Sequence, residues 1–281
     1  MTIAIFGNSN KRETFGVVQH ILGFMEKHGV EVLLSGELRG EMPHREAYQL
    51  FRPGSESPVD FALSEGGDGT FLTTAMQVMD RNIPILGINC GSLGFLADVR
   101  LEEVDAVLAQ LLEGHYSIED RTVLEVTANK GLSISPFALN EVAILKQELA
   151  SMISIEAQLN GEPLHHYHGD GLIISTPTGS TAYNLSAGGP IVVPESHVML
   201  LSPVASHALS VRPLVVPDDW QLDLRVHSRT GAFLISIDGR SQRLSEEALV
   251  HVQKAPYTIR LIRMEGHSFI NALKTKLSWG I

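Results

Sequence analysis

The chain has 281 residues, a length that exceeds one average domain and suits two. Hydrophobic residues make up 44% of the sequence and charged residues 19%, so the chain can bury substantial cores and lacks the composition of a disordered protein. The formal net charge of −11 excludes nucleic acid held by bulk attraction. A small phosphate compound stays compatible with this charge, because backbone N–H groups, a helix N-terminus or a metal ion can hold it locally.

The cysteine content and the hydropathy indicate the cellular compartment. The single cysteine, Cys90, excludes an internal disulfide framework and fits a reducing cytoplasm. No apolar run approaches the ~20 residues that a membrane helix needs. The N-terminus also lacks the basic and apolar regions of a secretory signal. We therefore expect a soluble, cytoplasmic protein with no membrane partner.

The first part of the chain alternates strand and helix signals. Short apolar runs predict strands over 2–6, 30–34, 59–63 and 83–88. Apolar residues at helical spacing predict helices over 17–25, 72–79 and 104–112, while 35–58 is predicted to be a loop with one short helix. Strands that alternate with helices predict a parallel sheet covered on both faces. We expect this α/β domain to span residues 1–115.

From about Tyr116 the period of the pattern changes to two. Apolar residues alternate from Ile153 to Leu159 and end at Asn160-Gly161, a strong hairpin signal. Similar alternation predicts strands over 222–226 and 233–237, and 250–263 is predicted to hold two more. We expect a mostly β domain over 116–266. The tail over 267–281 has a weak helical pattern, and the pattern alone allows it to pack on either domain.

The segment Gly66–Thr70 (GGDGT) joins the third predicted strand to a helix. Glycines without a Cβ let a ligand approach the backbone, and the free N–H groups at a helix start suit a phosphate. Asp68 repels a free anion, which suggests that it holds a hydroxyl nucleophile, a metal-bound phosphate or both. A tight turn in which Asp68 merely caps the helix is the alternative reading. Glu65, just upstream, adds a further negative charge and is expected either to form a salt bridge or to point away.

Two later segments carry further polar residues. Asn140-Glu141 precedes an apolar strand, and on its own it is an ordinary strand start. In the run from His168 to Pro190, a strand bracketed by glycines leads into a turn rich in hydroxyl groups. We expect Ser180 and Thr181 to cap a short helix there and the following polar residues to line a ligand.

Several common sites are poorly supported. The sequence lacks the GxxxxGKS or GxxxxGKT of P-loop NTPases, a GxGxxG opening the first helix and the GxSxG of serine hydrolases. His165, His166 and His168 invite a zinc hypothesis, but in a strand only His166 and His168 share a face. Only Asp170 lies at a convincing ligand spacing from them, so we assign no metal-binding residue.

Together these three segments resemble the NAD kinase family. Its hallmarks are a GGDGT turn, a later Asn-Glu pair and a long stretch that is present unbroken here from Gly169 to Pro190. The GGDGT turn alone is shared with diacylglycerol and sphingoid-lipid kinases and, more distantly, with phosphofructokinases. A lipid kinase would need an apolar acyl channel, which the hydroxyl-rich 175–186 segment disfavours. A non-catalytic dinucleotide-binding module would make Asp68 dispensable.

The resemblance implies an N-terminal α/β domain with a parallel sheet, an all-β C-terminal domain that binds NAD, and a tail that returns to the first domain. It implies that the 2′-hydroxyl of the adenosine ribose of NAD attacks the γ-phosphate of ATP to give NADP. A divalent ion, usually Mg²⁺, is implied, as is assembly into homodimers or homotetramers.

The resemblance also implies roles for individual residues. Asp68 is similar to the proton acceptor that orients the 2′-hydroxyl, with Gly69 beside the dinucleotide and Phe71 closing over it. Glu141, with Asn140, is expected to contact ribose hydroxyls, and Asp170 an amide or base of NAD. The pocket wall is expected to comprise Thr181, Ala182, Tyr183, Asn184 and Ser186. Further contacts are expected at Ser151, His168 and Arg240.

Overall fold

The structure, a computed structural model, describes residues 1–7, 12–43, 45–55, 57–91, 94–148, 152–208 and 210–279. The chain forms two compact units, the first comprising Met1–Asp120 and Ile259–Ile281 and the second Arg121–Thr258. The chain leaves the first unit within one long strand and returns to it within another. Each unit has its own buried apolar cluster.

The first unit alternates strands and helices, as its periodicity predicts. Its elements are β1 (Thr2–Gly7), α1 (Arg12–Lys27), β2 (Glu31–Leu34), α2 (Gly36–Glu41), β3 (Gln49–Leu50), β4 (Phe61–Gly66), α3 (Asp68–Val78), β5 (Ile85–Asn89), β6 (Val99–Arg100) and α4 (Val104–Glu113). The tail adds α6 (Phe269–Leu277), and 3-10 turns occur at Arg45–Ala47 and Leu101–Glu103. The predicted loop over 35–58 therefore contains one helix, one 3-10 turn and one short strand.

The sheet of the first unit is parallel, in the order β3-β2-β1-β4-β5. The strand order reverses between β1 and β4, where the chain winds first to one side and then to the other. In open parallel sheets, ligands bind at the carboxyl ends of the strands at such a reversal. Strand β4 is buried along its whole length, and it ends at this position, directly before the glycine turn.

The second unit is antiparallel. Its elements are β7 (Tyr116–Ala128), β8 (Phe137–Ala138), β9 (Glu141–Leu145), β10 (Ile153–Leu159), β11 (Glu162–Gly169), β12 (Gly171–Ser175), α5 (Tyr183–Ser186), β13 (Val198–Val204), β14 (Leu214–Pro217), β15 (Leu222–Ser228), β16 (Ala232–Ile237), β17 (Arg240–Ser245) and β18 (Leu249–Met264), of which β7 and β18 are shared with the first unit. One sheet contains β11-β10-β15-β18, and the other has the order β14-β13-β12-β9-β16-β17. Alternating residues of both sheets fill one apolar core.

The turn residues of the second unit have the backbone that their sequence predicts. Asn160 and Gly161 join β10 to β11 with φ angles of 51° and 80°, and Asp238 and Gly239 join β16 to β17 with 46° and 78°. Two successive positive φ angles define the hairpin turn that matches the twist of antiparallel strands. The prediction of two strands over 250–263 is wrong, because β18 runs without interruption through the exposed Pro256.

The predicted fold class is confirmed, with a parallel α/β unit and an antiparallel β unit. Within the described part of the chain, no helix has the length and apolar character needed to cross a membrane.

A buried charge cluster joins the returning segment of the first unit, Ile259–Ile281, to Met1–Asp120. Arg263 on β18 bonds Asp98, and its Nε and a terminal nitrogen each donate to Glu119 at 3.2 Å. The side chains of these three residues are only 7%, 13% and 19% exposed. Burial opposes the shift, but the hydrogen bond from His267 and the charge of Arg263 hold the pKa of Asp98 below its ordinary value.

We expect Arg263→Leu to destabilise the protein by about 3–5 kcal/mol, because two buried carboxylates lose their shared cation. Equilibrium denaturation with urea measures this change. Arg225→Leu, at an exposed position of β15, serves as the control and should change stability by less than about 0.5 kcal/mol. Equal effects of the two substitutions would contradict the importance given to the cluster.

Candidate functional site

The glycine turn follows the buried strand β4 at the carboxyl edge of the parallel sheet. Gly67 is the N-cap of α3, with an extended backbone and no side-chain cap, and Asp68 is the first residue of the helix. The backbone N–H of Cys90, at the end of β5, donates to the Gly66 carbonyl at 3.0 Å. The start of α3 therefore presents its free N–H groups at the reversal in strand order, which favours an anion.

The carboxylate of Asp68 is fixed by a neighbouring loop. Its Oδ2 accepts the N–H of Phe95 at 2.7 Å, and its Oδ1 accepts those of Leu96 and Ala97 at 2.9 and 3.0 Å. A Cβ added to Gly94 would overlap Oδ1, so a glycine there allows the loop to come this close. The reading of Asp68 as a helix cap is wrong, because its oxygens bind this loop and not the N–H groups of its own helix.

Small polar residues surround the turn, whereas Phe71 does not reach the surface. A cavity of about 230 Å³ is lined by residues that include Ser35, Gly69, Thr70 and Thr73. Phe71 lies on α3 with no exposed surface. In this structure Phe71 therefore packs the interior and offers no face to a ligand.

Glu65 is completely buried on β4. Neither carboxyl oxygen has a hydrogen-bond partner among the described residues, and burial raises the pKa of Glu65 well above its ordinary value. Desolvation of this kind disfavours the ionised form of a carboxyl group. The expected salt bridge is wrong, since Glu65 forms none with the described residues. The alternative expectation, that the side chain points away from the phosphates, stays a prediction.

In the second unit, Asp238 fixes the backbone around the Asn-Glu pair. Its carboxylate accepts the N–H groups of Leu139, Asn140 and Glu141 at 2.7, 2.9 and 3.0 Å. Asp238 belongs to the hairpin turn between β16 and β17. The turn therefore holds the start of β9 from a position almost 100 residues further along the chain.

The side chain of Glu141 lies close to this second carboxylate. Burial and the negative charge of Asp238 raise the pKa of Glu141 to about 7, although the backbone N–H of Tyr183 donates to it and opposes the rise. Its Oε2 has no hydrogen-bond partner in the described parts of the chain. Glu141 is thus a carboxyl group with a pKa close to 7 and with one buried oxygen that lacks a partner among the described residues.

The run from Gly169 to Pro190 folds against Asn140. After β12 it forms a 3-10 turn over Thr178–Thr181 and then the short helix α5. A Cβ at Gly179 would overlap the Asn140 carbonyl, which explains a glycine at this position. The prediction that Ser180 and Thr181 cap the helix is wrong. Ala182 is the N-cap, and the Ser180 hydroxyl bonds the backbone of Val192.

The expected pocket residues differ in exposure. Tyr183 is 39% exposed, Ser186 is exposed, and Thr181 and Ala182 are half-buried. Asn184, in contrast, is completely buried. Its amide donates to two backbone carbonyls and accepts the hydroxyl of Ser202 at 2.6 Å. Asn184 therefore stabilises the turn and has no free group for a ligand.

The other expected contacts lie at separate positions in the second unit. Asp170 is paired with Lys146 at 2.7 Å, and His168 is exposed on β11. Arg240 donates to the Phe137 carbonyl at 2.6 Å. Burial lowers the pKa of Arg240, against the opposing charge of Asp238. Ser151 falls outside the described residues. No group of three or more histidine, cysteine or acidic residues that could hold a metal occurs among the described residues.

Comparison with known proteins assigns the family. Residues 3–116 match the ATP-NAD kinase N-terminal domain, and residues 139–264 match the ATP-NAD kinase C-terminal domain. The chain is 44% identical to an NAD kinase of Bacteroides fragilis, over 100% of this chain and 98% of that protein. It is 42% identical to an NAD kinase of Porphyromonas gingivalis, over 99% and 98%.

The chain belongs to the ATP-NAD kinase family. It is therefore a phosphotransferase of the NAD kinase type, and the lipid-kinase alternative is not favoured. A yeast NADH kinase crystallised with NADH superposes with a TM-score of 0.87 at 22% identity, over 100% of this chain and 88% of that one. An NAD kinase of Archaeoglobus fulgidus crystallised with ATP gives 0.74 at 27%, over 94% of both chains.

The sequence patterns identified the candidate site residues of this family member better than they identified the groups that these residues contact. The structure brings together Asn140, Glu141 and the backbone of Tyr183, which the sequence had indicated separately. Asp238 was not among the predicted site residues, although an aspartate before glycine at a hairpin is a recognisable turn signal. Lys276, on α6 near the Asp68 loop, gave no signal at all.

We expect Glu65→Gln to raise the melting temperature at pH 8 and to leave it nearly unchanged at pH 4. The folded-state pKa of Glu65 is raised, so its stabilising contribution is complete below the unfolded value and is lost as pH rises through the folded value. Glutamine keeps the shape and does not ionise. Calorimetry at the two pH values measures the difference, and Glu26→Gln at an exposed position of α1 is the control. A difference that does not grow with pH would show that Glu65 is not a neutral buried acid.

Proposed function

We propose that this NAD kinase family member transfers the γ-phosphate of ATP to the 2′-hydroxyl of the adenosine ribose of NAD, giving NADP. The observation that carries the proposal is the carboxylate of Asp68, fixed by three N–H groups at the start of a helix that follows a parallel strand. The similar bacterial NAD kinases support NAD as the acceptor, and the archaeal relative crystallised with ATP supports ATP as the donor.

Asp68 orients the hydroxyl nucleophile. Phosphoryl transfer depends mainly on positioning and on stabilising charge, so the acceptor need not be a strong base. The 2′-oxygen forms a bond to the γ-phosphorus while the bond to the bridging oxygen of ADP breaks. The hydroxyl proton passes late to Asp68 and then to solvent. A carboxylate whose direction is already fixed needs no rearrangement at this step.

The phosphates lie near the start of α3. Gly69 leaves the backbone open on the exposed side of the turn, and the free N–H groups of the helix start attract negative charge. The described residues offer no cage of protein ligands for a metal. A divalent ion such as Mg²⁺ would instead be held mainly by the phosphates of ATP. When bound, the ion neutralises charge on the transferred phosphoryl group.

The second unit recognises NAD. Glu141 contacts ribose hydroxyls, beside Asn140, and Asp170 contacts an amide or base. Tyr183 has enough exposed ring to stack on a base, and its neighbours Thr181, Ala182 and Ser186 complete the wall. Ser151, His168 and Arg240 remain further proposed contacts, whereas the buried Phe71 and Asn184 support the site by packing.

The proposal extends to organisation and location. We assign residues 1–115 to the α/β domain and 116–266 to the NAD-binding β domain, with the tail 267–281 packed on the first. The single buried cysteine suits a reducing cytoplasm. The family resemblance supports a homodimer or a homotetramer.

Replacing Asp68 tests the central role. We expect Asp68→Asn to lower kcat for NADP formation by about a hundredfold or more, because the amide cannot accept the hydroxyl proton. Incubation with ATP, Mg²⁺ and NAD, followed by measurement of NADP, gives the rate. Asp80→Asn, an exposed aspartate beyond the other end of α3, is the matched control. Retained turnover in Asp68→Asn would refute the role, and no NADP from the folded wild-type protein would refute the function.

Titration of Glu141 should be visible in NAD binding. Its pKa is about 7, and the ionised form accepts hydrogen bonds from hydroxyl groups more strongly than the neutral acid does. We expect KM for NAD to rise about tenfold between pH 8 and pH 6, since at pH 6 about nine-tenths of the group is protonated. Glu141→Gln should bind NAD more weakly and show no such dependence. An equally steep dependence in this variant would assign the titration to another group.

A further inference from the structure

An amine nitrogen is buried near the loop that fixes Asp68. Lys276 lies near the end of α6, and its Nζ is 4.2 Å from the centre of the Phe95 ring. The nitrogen is buried and has no hydrogen-bond partner among the described residues. The Phe95 ring also contacts Phe269, at the start of the same helix, with ring centres 6.2 Å apart. One aromatic ring thus connects the loop to both ends of the tail helix.

Phe95 also belongs to the clamp, by which we mean residues 95–97, whose N–H groups hold the Asp68 carboxylate. Its backbone N–H donates to Asp68 Oδ2 at 2.7 Å, the shortest of the three hydrogen bonds to that side chain. Oδ2 accepts only this one of the three, so the direction of that oxygen depends on where Phe95 sits. A displacement of the Phe95 ring therefore shifts the N–H group that holds Oδ2 of Asp68.

We propose that Lys276 is a positioning residue for Asp68, because its ammonium group holds the Phe95 ring and places a positive charge beside the clamp. A cation over the face of an aromatic ring is attracted by the ring electrons, and more strongly when water is excluded. The same charge offsets the negative charge of the nearby carboxylates. This inference rests on the proposed function of Asp68.

The charges around Lys276 determine when the amine is protonated. Burial lowers the pKa of Lys276 to about 8, while Asp68 and Asp98 favour the ammonium form and Arg263 opposes it. A cavity of about 290 Å³ adjoins the side chain, and Arg100, Glu103 and His267 also line it. At pH 7 the ammonium form dominates, and above pH 8 the neutral amine replaces it.

A purely structural lysine would have different consequences. If the methylene chain only fills space between α6 and the loop, removing the charge changes stability and leaves kcat and its pH profile unaltered. If the ammonium positions Asp68, its removal lowers kcat while the affinity for NAD, which the second unit provides, changes little. The pH profile and the division between kcat and KM therefore separate the two roles.

The test compares Lys276→Met, which removes the charge, with Lys276→Arg, which keeps it. Lys274→Met on the exposed side of the same helix is the matched control. NADP formation is measured from pH 6.5 to 9.5, together with the melting temperature. At pH 7 we expect kcat of Lys276→Met to fall about tenfold, which corresponds to about 1.4 kcal/mol of activation free energy, with KM for NAD within about twofold. In the wild type kcat should decline above about pH 8, and Lys276→Arg should be active without that decline.

Three results would overturn the inference. One is a kcat of Lys276→Met equal to that of the Lys274→Met control. Another is persistence of the alkaline decline in Lys276→Arg, a result that decides the matter even if the methionine variant is too unstable to assay. The third is wild-type protein that is folded and forms no NADP, which would remove the proposed function itself and is distinguishable from the other two by the wild-type assay alone.

Discussion

The Asp68 carboxylate accepts the N–H groups of three successive residues, 95 to 97, and the glycine turn is arranged around this interaction. An ionised acceptor with several backbone donors is both strongly bound and fixed in direction. The second unit repeats the arrangement, where Asp238 accepts the N–H groups of residues 139 to 141. In the first case the aspartate is itself the proposed proton acceptor, and in the second it fixes the backbone of Asn140 and Glu141. Both units thus use the same bond to hold their polar residues still.

The formal charge of −11 overstates the negative charge that a nucleotide meets. Glu65 directly precedes the glycine turn, but burial raises its pKa and so favours its neutral form. Glu141 is near its titration point, since its pKa is about 7. Lys276 and the helix start of α3 contribute positive charge. An acidic protein can therefore handle phosphates, because desolvation removes part of the repulsion that the sequence suggests.

Local patterns determined what could be predicted. Alternation from Ile153 to Leu159 and the Asn160-Gly161 pair encode a hairpin in adjacent residues, so strand, turn and register followed directly. β18 was divided into two strands, because the continuity of a strand through Pro256 depends on neighbours distant in sequence. The position of Asp68 also followed from its glycines. Its hydrogen-bond donors lie almost 30 residues further along the chain. They could not be predicted, because no periodicity links a side chain to a distant loop.

The position of Cys90 makes its thiol a probe of local opening of the structure. Cys90 follows β5 directly, its backbone N–H donates to the Gly66 carbonyl, and the residue is only 4% exposed. A thiol reagent can reach the sulfur only when this part of the turn opens, so the labelling rate of the native protein reports the free energy of that local opening. Because the chain has no other cysteine, every modified molecule carries its label at this site. The native protein thus allows local opening beside the glycine turn to be measured without introducing a cysteine.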